Sequence, residues 1–310
     1  NNGAGLEDYG VTFDMVGDFT IESGGIVEGT GRGYTDNSGP GTGGGTSGGV
    51  HGGYAYVNAT EPYGSVKEPV TMGSRGGASG MAGGAAIKID TEGDLVVNGE
   101  LSAKGASCTS CSDSQGGGAG GSIWLIATSL DGGGLISADG GGGQNTGGQW
   151  SGGGSGGRIA IYQTTPGTFP VTTTANIHAY TGWAGRASQY GGAGTIYLDA
   201  DGLLGGNGDL WIDNANGGGG KAAGIPYDSV NPVQEYNKIY VKRKGHLRVQ
   251  GIDSTLVIAS ETGIEGDSTK PDVEPEGLIQ LPATFTIDQF TLDVIGDIAG
   301  ASTMTVGDGT

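Results

Sequence analysis

The sequence has few of the residues on which a compact enzyme core depends. Only 35% of its 310 residues are hydrophobic and 7% are aromatic, which is little for one large globular core. Positive charge is also scarce, because 14 lysines and arginines stand against 33 aspartates and glutamates, giving a net charge of −19. This sign of charge disfavours nucleic acid and anionic membranes as partners and favours cations. The low hydrophobic content, in turn, predicts a narrow or elongated core.

Long apolar runs are missing and cysteine is nearly so. No run reaches the roughly 18 apolar residues of a membrane span, so no membrane insertion is predicted. The two cysteines, Cys108 and Cys111, lie in the polar loop SCTSCSDSQGGG. We predict a small structural disulfide there rather than a redox or zinc site, which favours an exported protein. The first residue, Asn1, and the final TVGDGT fit a processed chain or a piece of a longer one.

Motifs of metal and phosphate chemistry are absent as well. The three histidines, His51, His178 and His246, show neither HxxxH nor HExxH spacing. The glycine runs do not form a GxxxxGKS or GxxxxGKT phosphate loop. No catalytic residue is predicted, and no cofactor is required by any motif.

Glycine is what the sequence has in excess, with 71 of 310 residues, roughly three times its usual share of about 7%. Each ordered glycine costs about 0.5–1 kcal/mol of chain entropy relative to alanine. Repetitive hydrogen bonding, self-association, metal or cross-links must offset that cost. We expect ordered glycine loops in which any Cβ would collide with a neighbouring backbone, notably over residues 41–53 and 140–157.

A repeat of about 36 residues follows the glycine runs. The segments GGAAIKID, GGSIWLIA, GGRIAIYQ and GAGTIYLD place their first isoleucines at 87, 123, 159 and 196, with a second apolar residue two positions later. This period of two predicts strands that bury those pairs on one face. The residues between them, Lys88, Trp124, Ala160 and Tyr197, are expected to face outward. Phe13 and Met15 are predicted to be an earlier copy, aligned with Ile87 and Ile89.

A second motif, apolar-x-Ala, recurs at Leu101, Ile136 and Ile177. Each unit is then a strand, a turn, a short strand and a glycine loop, which is typical of a solenoid. We predict an all-β, right-handed parallel β-helix with extruded glycine-rich loops over residues 1–225. A β-propeller or a β-sandwich is the alternative. Residues 226–310 hold only nine glycines and are predicted to continue the solenoid or to form a small β-sandwich.

The segments GGGSGGRIAIY and GGAGTIYLDADG resemble the glycine-rich repeats of large secreted surface proteins of the parallel β-helix, adhesin-like type. The resemblance covers roughly residues 10–214. It implies an extracellular or cell-surface location and an elongated shape. It carries no catalytic motif to numbered positions here.

Several side chains are candidate binding residues. Carboxylate and amide oxygens in LDADGLLGGNGDL suit calcium, with an ordinary acidic turn as the alternative; they belong to Asp199, Asp201, Asn207 and Asp209. Three aromatics in glycine loops could stack on sugar rings, seal an interface with another subunit or cover the end of the apolar column; they are Trp150, Trp183 and Tyr190. The NAT sequon at Asn58 predicts a glycosylation site. The basic cluster from Lys242 to Arg248 is expected on the solvated face of strands.

The sequence thus favours a non-enzymatic extracellular protein: a surface adhesin, stalk or filament subunit that self-associates or binds cell-surface or matrix polysaccharide. The alternative is a polysaccharide lyase or glycoside hydrolase on the same scaffold, and a third candidate is a sugar-binding module. Neither nucleic acid nor a membrane is expected as a partner.

Overall fold

The protein is described here by a computed structural model. It covers residues 10–77, 80–109, 111, 115–146, 149–170, 175–184, 186–202, 206–218, 221–267, 272–287 and 290–306. Within these residues the regular structure consists of 26 strands and one short 3-10 helix, Ala187–Gln189. The all-β prediction is confirmed, and nearly all strand pairs are parallel, which is compatible with a β-solenoid.

The largest sheet, which we call the shared sheet, has eight strands. In spatial order they are β1 (Val11–Met15), β4 (Ala86–Thr91), β7 (Ser122–Ala127), β12 (Arg158–Gln163), β14 (Thr195–Asp199), β15 (Asp209–Asp213), β18 (Ile239–Lys242) and β21 (Ile264–Glu265).

Two smaller parallel sheets complete the N-terminal region, residues 10–199. One consists of β2 (Phe19–Ile21), β5 (Leu95–Val97) and β8 (Leu130–Asp131), and the other of β3 (Ile26–Glu28), β6 (Glu100–Ser102), β9 (Leu135–Ser137) and β13 (Ile177–His178). A small antiparallel pair joins β10 (Asn145–Thr146) and β11 (Gln149–Trp150).

The C-terminal region, residues 209–306, adds three more parallel sheets. They are β16 (Ala223–Ile225), β19 (Leu247–Val249) and β22 (Val273–Pro275); β17 (Val233–Tyr236), β20 (Thr255–Ile258), β23 (Leu278–Gln280) and β25 (Ile298–Ala299); and β24 (Thr284–Ile287) with β26 (Thr303–Val306). Parallel pairing throughout this region differs from the antiparallel ladders of a propeller or an ordinary sandwich.

The equivalent positions of the predicted repeat are paired with one another in the shared sheet. Ile87 pairs with Ile123, Ile123 with Ile159, and Ile159 with Ile196. The second motif is aligned in the same way, because Leu101 pairs with Ile136, which pairs with Ile177. Equivalent residues of successive repeats therefore lie side by side, as the spacing of the sequence predicts.

The predicted alignment of the first strand is wrong by two residues. Val11 lies opposite Ile87, and Phe13 lies opposite Ile89. Strand β1 pairs directly with β4, so the long segment between them adds no strand to the shared sheet. Part of that segment, residues 63–71, instead crosses the outer face of the sheet, and we call it the crossing segment. There the Ser122 hydroxyl donates to the Thr71 carbonyl and the Tyr162 hydroxyl to the Lys67 carbonyl.

Strand direction reverses once in the shared sheet. Strands β14 and β15 are antiparallel, and β15, β18 and β21 then run parallel to one another. This reversal falls between Asp199 and Asp209, upstream of the predicted domain boundary after residue 225.

The reversal also moves the core to the other face of the shared sheet. Residues paired across antiparallel strands point to the same face. Ile196 is paired with Trp211, and both pack against the N-terminal core. Tyr197 is paired with Leu210, and both belong to a second core that fills the C-terminal region. The two cores therefore lie on opposite faces of one sheet.

The second core overturns the expectation that the intervening residues face solvent. Ala160 and Tyr197 are fully buried, and Lys88 and Trp124 are half-buried. The physical reason is that the C-terminal region and the crossing segment cover that face. An alternation of apolar and varied residues shows which positions share a face, but it does not show that the second face is solvated.

The glycine segments form an ordered array with three-residue periodicity. Along residues 152–157 the backbone N–H groups donate in turn to three neighbouring segments, and every third donor returns to the same neighbour. The pairs are Gly152–Thr46 and Ser155–Gly49, Gly153–Gln189 and Gly156–Gly192, and Gly154–Gly141 and Gly157–Ala138. Three residues per turn is the periodicity of a polyproline II helix, whose close packing requires glycine.

We call this array the glycine lattice; it comprises residues 46–53, 73–77, 82–84, 103–106, 116–121, 138–143, 152–157, 179–182 and 189–192. Its segments approach so closely that side chains have no room. A Cβ on Gly120 would lie 1.9 Å from the carbonyl oxygen of Ala138, and one on Gly117 would lie 1.9 Å from that of Gly141. The predicted close packing is confirmed for most described glycines of residues 41–53 and 140–157, but Gly44 and Gly45 have nothing within 4 Å of their Cβ positions.

Candidate functional site

The strand reversal leaves an open cleft beside the last strand of the N-terminal core. Two adjoining pockets, of about 250 and 450 Å³, lie there and share Leu198 and Trp211 as lining residues. We call them together the reversal cleft. Its position follows from the fold, because β15 continues the shared sheet while its own core fills the opposite face.

The floor of the reversal cleft is apolar and aromatic. Ile177, Ile196 and Leu198, from the N-terminal core, line the smaller pocket together with Trp211. The half-buried indole of Trp211 stacks on the Tyr240 ring, with centroids 4.0 Å apart and an interplanar angle of 17°. Its Nε1 is buried without a hydrogen-bond partner among the described residues. Such a group costs about 1–3 kcal/mol.

One wall of the cleft is an ion pair. The Arg243 guanidinium donates from Nε to Asp213 Oδ1 at 2.8 Å and from an Nη nitrogen to Asp213 Oδ2 at 2.6 Å. It also donates to the Tyr180 hydroxyl at 2.6 Å. The hydrogen bonds to Asp213, and to a smaller extent the one to Tyr180, raise the pKa of Arg243. The charge of Arg243 is thus neutralised by Asp213, and the pair fixes the position of Tyr180 at the pocket.

The other wall contains the four residues predicted to bind calcium. Asp199, Asp201, Asn207 and Asp209 all line the larger pocket. The Tyr197 hydroxyl donates to Asp199 at 3.1 Å, the Asn237 amide donates to Asp209 at 2.8 Å, and the Asn207 amide donates to Glu235 at 2.7 Å. Burial raises the pKa of Asp199 and that of Asp209.

The calcium prediction gains no geometric support from this wall. Among the described residues, no group of three or more histidine, cysteine, aspartate or glutamate side chains is placed to hold a metal ion. Residues 203–205 of the same loop lie outside the described residues. The predicted calcium residues therefore line one pocket, and the described oxygens of Asp199 and Asp209 accept hydrogen bonds from neighbouring side chains and backbone.

The three aromatics predicted from the glycine loops lie in or beside the glycine lattice, away from the reversal cleft. The guanidinium carbon of Arg186 lies 3.9 Å from the centroid of the Trp150 ring. Trp183 is 50% exposed, and its carbonyl accepts a hydrogen bond from Gly143 at 2.9 Å. Tyr190 is half-buried. None of the three covers the end of the apolar column, where Trp211 lies instead.

Sequence reasoning missed Trp211, Tyr180 and Arg243 as cleft residues. Trp211 alternates with Leu210 and Ile212 in DLWID, so the pattern predicts a strand, but nothing in it reveals the neighbour that this strand pairs with. Arg243 and Lys244 have φ values of 46° and 65°. This left-handed turn brings Arg243 to Asp213. The sequence contains no motif that predicts such a turn.

The predicted disulfide and glycosylation sites have different outcomes. Cys108 and Cys111 are joined by a disulfide. The Asn58 side-chain nitrogen, by contrast, donates to the carbonyls of Gly41 at 2.9 Å and Gly48 at 3.1 Å. A glycan replaces one of the two hydrogens on that nitrogen, so at least one of these hydrogen bonds would be lost, and the geometry disfavours glycosylation at this sequon.

The basic cluster is paired within the molecule. Lys242 binds Glu265, and Arg248 binds Glu274 and Glu276. His246 Nε2 lies 3.2 Å from Glu274. These pairs connect β18 with β21 and β19 with β22, so the cluster links neighbouring strands on the polar face of their sheets.

His51 and Arg158 are buried polar residues with structural partners. His51 Nδ1 donates to the Gly120 carbonyl at 2.7 Å, so Nε2 accepts from the Thr71 hydroxyl at 2.8 Å. Burial, and then the charge of Arg158, lowers the pKa of His51 to about 3. Arg158 donates to the Tyr63 and Gly224 carbonyls at 2.8 and 2.9 Å. His51 therefore connects the crossing segment to the lattice through Thr71, and Arg158 connects it to the shared sheet through Tyr63.

Across the described part of the chain, no helix has the length and apolar character needed to cross a membrane. No protein-family model, no curated protein and no solved structure matches the chain.

Proposed function

We propose that the chain is an extracellular β-solenoid that acts as a surface adhesin and binds carbohydrate in the reversal cleft. The repeated in-register pairing at intervals of 36 and 37 residues, from Ile87 to Ile196, supports a solenoid. The resemblance to glycine-rich secreted surface proteins and the single disulfide support the extracellular location.

The solenoid consists of two units of the same hand. Reversing the strand direction alone would invert the hand of the second unit. The second core also lies on the opposite face of the shared sheet, and this second change restores the hand. The units are thus related by a half-turn about the long axis, and a right hand is the usual preference for parallel strand connections.

The observation that carries the binding function is the Trp211 indole, which lines both pockets between two polar walls and is supported by stacking on Tyr240. A flat aromatic surface packs against the apolar face of a sugar ring, while nearby amides and carboxylates bind its hydroxyl groups. Asn207, Asp209 and Asn237 supply such groups beside the indole. This combination is absent from the three lattice aromatics predicted from the sequence.

The charges of the cleft favour a neutral sugar over an acidic one. Asp199, Asp201 and Asp209 line the larger pocket, and the one arginine of the smaller pocket is bound to Asp213. A uronate or sialate would meet the carboxylates of these aspartates, and like charges brought together oppose binding.

Self-association is supported by the outermost strands. Ile26 on one edge and Ile298 on the other are 58% and 49% exposed, and unpaired edge strands are ready to pair with another chain. Electron micrographs should show elongated or stacked particles, and isolated globular particles at all concentrations would contradict this part of the proposal.

The binding proposal is tested with a glycan array that carries neutral and uronic acid oligosaccharides. Wild-type protein and the Trp183→Ala variant should bind the same neutral glycans, because Trp183 lies beside the lattice and lines neither pocket of the cleft. Trp211→Ala should lose at least tenfold in affinity. Asn207→Ala, at an exposed position, should weaken binding without affecting folding. Loss of binding in Trp183→Ala but not in Trp211→Ala would assign the site to the lattice aromatics.

A glycoside hydrolase is the second candidate, since burial raises the pKa of both Asp199 and Asp209 in the same pocket. A carboxyl with a raised pKa can act as a general acid. Release of reducing ends from a bound glycan, abolished in Asp199→Asn or Asp209→Asn, would replace the adhesin with an enzyme. Intact glycans after prolonged incubation would leave the adhesin.

A further inference from the structure

We infer that the opposite face of the shared sheet carries a second saccharide site, so that each chain binds two sugar units. This inference rests on the proposed carbohydrate-binding function. A pocket of about 380 Å³ lies there, and we call it the outer pocket. It is separate from the reversal cleft, because the two have no lining residue in common.

The outer pocket is built from three distant parts of the chain. Its floor consists of Trp124, Ile126 and Tyr162, on the adjacent strands β7 and β12. One wall is the crossing segment at residues 65–68, and the other is the loop at residues 228–234. The Tyr162 hydroxyl donates to the Lys67 carbonyl at 2.8 Å, so the first wall is fixed to the floor.

The polar groups of the second wall are held in place by one another. Asn231 donates from its side chain to Asp228 at 3.3 Å, and Gln234 donates to the Asn231 carbonyl at 3.1 Å. Asp228 also accepts from the Val230 backbone N–H at 2.8 Å, and this hydrogen bond lowers its pKa. A ligand that enters the pocket therefore meets amide and carboxylate groups already in position, which limits the entropy lost on binding.

The lysine that lines this pocket, Lys67, directs its ammonium group to other partners. Lys67 Nζ lies 5.3 and 5.5 Å from the ring centroids of Tyr197 and Tyr236 and donates to the Gly206 carbonyl at 3.4 Å. Burial lowers the pKa of Lys67. Glu68 and Asp228 are the acidic lining groups, so the outer pocket, like the reversal cleft, suits a neutral polyhydroxylated ligand.

The two pockets share one further feature. The indole nitrogens of Trp124 and Trp211 are both buried without a hydrogen-bond partner among the described residues. Each of these tryptophans forms part of a pocket lining. Two such sites on opposite faces of one sheet would bind a polysaccharide matrix bivalently, and bivalency slows release from a surface.

The test is the binding stoichiometry of the full chain, measured by isothermal titration calorimetry. The probes are neutral hexasaccharides of glucose, mannose, galactose and N-acetylglucosamine, each titrated separately. The wild type should bind two molecules of one of these probes per chain. Trp211→Ala should bind one, and the double variant Asn231→Ala with Gln234→Ala should also bind one. Trp124→Ala removes the aromatic part of the outer pocket's floor, and it should weaken one of the two sites about tenfold.

The failures of the two proposals are distinguishable. A wild-type stoichiometry of one that Trp211→Ala abolishes would overturn the outer pocket and leave the reversal cleft intact. No binding of any probe by a chain with a wild-type melting curve would overturn the carbohydrate-binding proposal itself. A stoichiometry of one that only the Asn231 and Gln234 substitutions abolish would overturn the two-site inference and remove the cleft as the binding site.

Discussion

The N-terminal and C-terminal regions solve the same packing problem with different connections. Both stack parallel strands whose inward residues are Ile, Leu and Val. From β4 to β14 in the N-terminal region, successive strands of the shared sheet are 36 or 37 residues apart, as from Ile123 to Ile159, and glycine-lattice segments occupy the longer connections. In the C-terminal region Ile239 pairs with Ile264, and Ile279 with Ile298, only 25 and 19 residues apart.

The difference shows what glycine contributes here. In the C-terminal region, side chains of neighbouring strands form ion pairs such as Arg248–Glu276. In the lattice, the backbones themselves are in contact, and hydrogen bonds between them replace side-chain contacts. Glycine is needed because each segment touches several backbones at once, so the residue with the greatest freedom in the unfolded chain forms the most tightly packed part of the fold.

The largest expected effect is a methyl group inside the lattice. Gly120→Ala would place Cβ 1.9 Å from the Ala138 carbonyl oxygen and 2.6 Å from the Gly157 nitrogen. We expect this overlap to lower the free energy of unfolding by about 3 kcal/mol or more. Gly133→Ala is the matched control, because nothing lies within 4 Å of its Cβ position. Equal stabilities of the two variants in urea would show that the lattice is not closely packed.

The second effect is the pH dependence of the contact between the lattice and the crossing segment, which His51 makes with Thr71. The pKa of His51 is lowered to about 3 from an ordinary value of 6.5. The unfolded state therefore takes up the proton first, and the contribution of His51 to stability is complete above pH 6.5 and is lost as the pH falls toward 3. The expected slope is about 1.4 kcal/mol per pH unit in that range.

The variant His51→Gln isolates that slope. Asp272 has a pKa raised to about 6, so its contribution has the opposite sign, but it is common to both proteins and cancels in their difference. Denaturant unfolding at several pH values between 4 and 7 measures both curves. Parallel curves would mean that His51 is protonated in the fold and that its buried position is wrong.

The smallest effect is expected for an ion pair of the C-terminal region. Lys242 and Glu265 are both partly exposed, at 30% and 58% for their side chains. Exposed pairs contribute little, so Glu265→Gln should lower the free energy of unfolding by less than about 1 kcal/mol. The loss should shrink further in 1 M salt, because screening weakens such pairs. A salt-independent loss of several kcal/mol would make these pairs as important to their region as the lattice is to the other.

Much of the fold could be predicted from the sequence because it depends on local periodicity. The apolar positions at Ile87, Ile123 and Ile159 recur at a fixed interval and lie in register. The glycine runs could be predicted to be ordered because they recur with the same interval. The first strand was misaligned by two residues, because Val11, Phe13 and Met15 all alternate and alternation alone does not fix a register.

The candidate site was predictable only in fragments. The acidic loop around Asp199 was singled out for calcium, and it does line the cleft. Trp211 was not singled out, because an aromatic residue in an alternating strand looks like any core residue. The outer pocket is not predictable either, because the alternation in β7 places Trp124 on the face expected to be solvated. The walls of the pocket come from residues 65–68 and 228–234, far away in the sequence.

By itself the sequence determined that the chain is all-β, that its repeats stack inward columns of isoleucine and leucine, and that its glycines pack closely. The tertiary structure decided where the strand direction reverses, which face each core occupies and therefore where the two pockets lie. The physical reason is that an alternating strand presents the same two faces whichever way it runs, and it accepts a parallel or an antiparallel neighbour. Only the pairing of β14 with β15 selected among these equal local options.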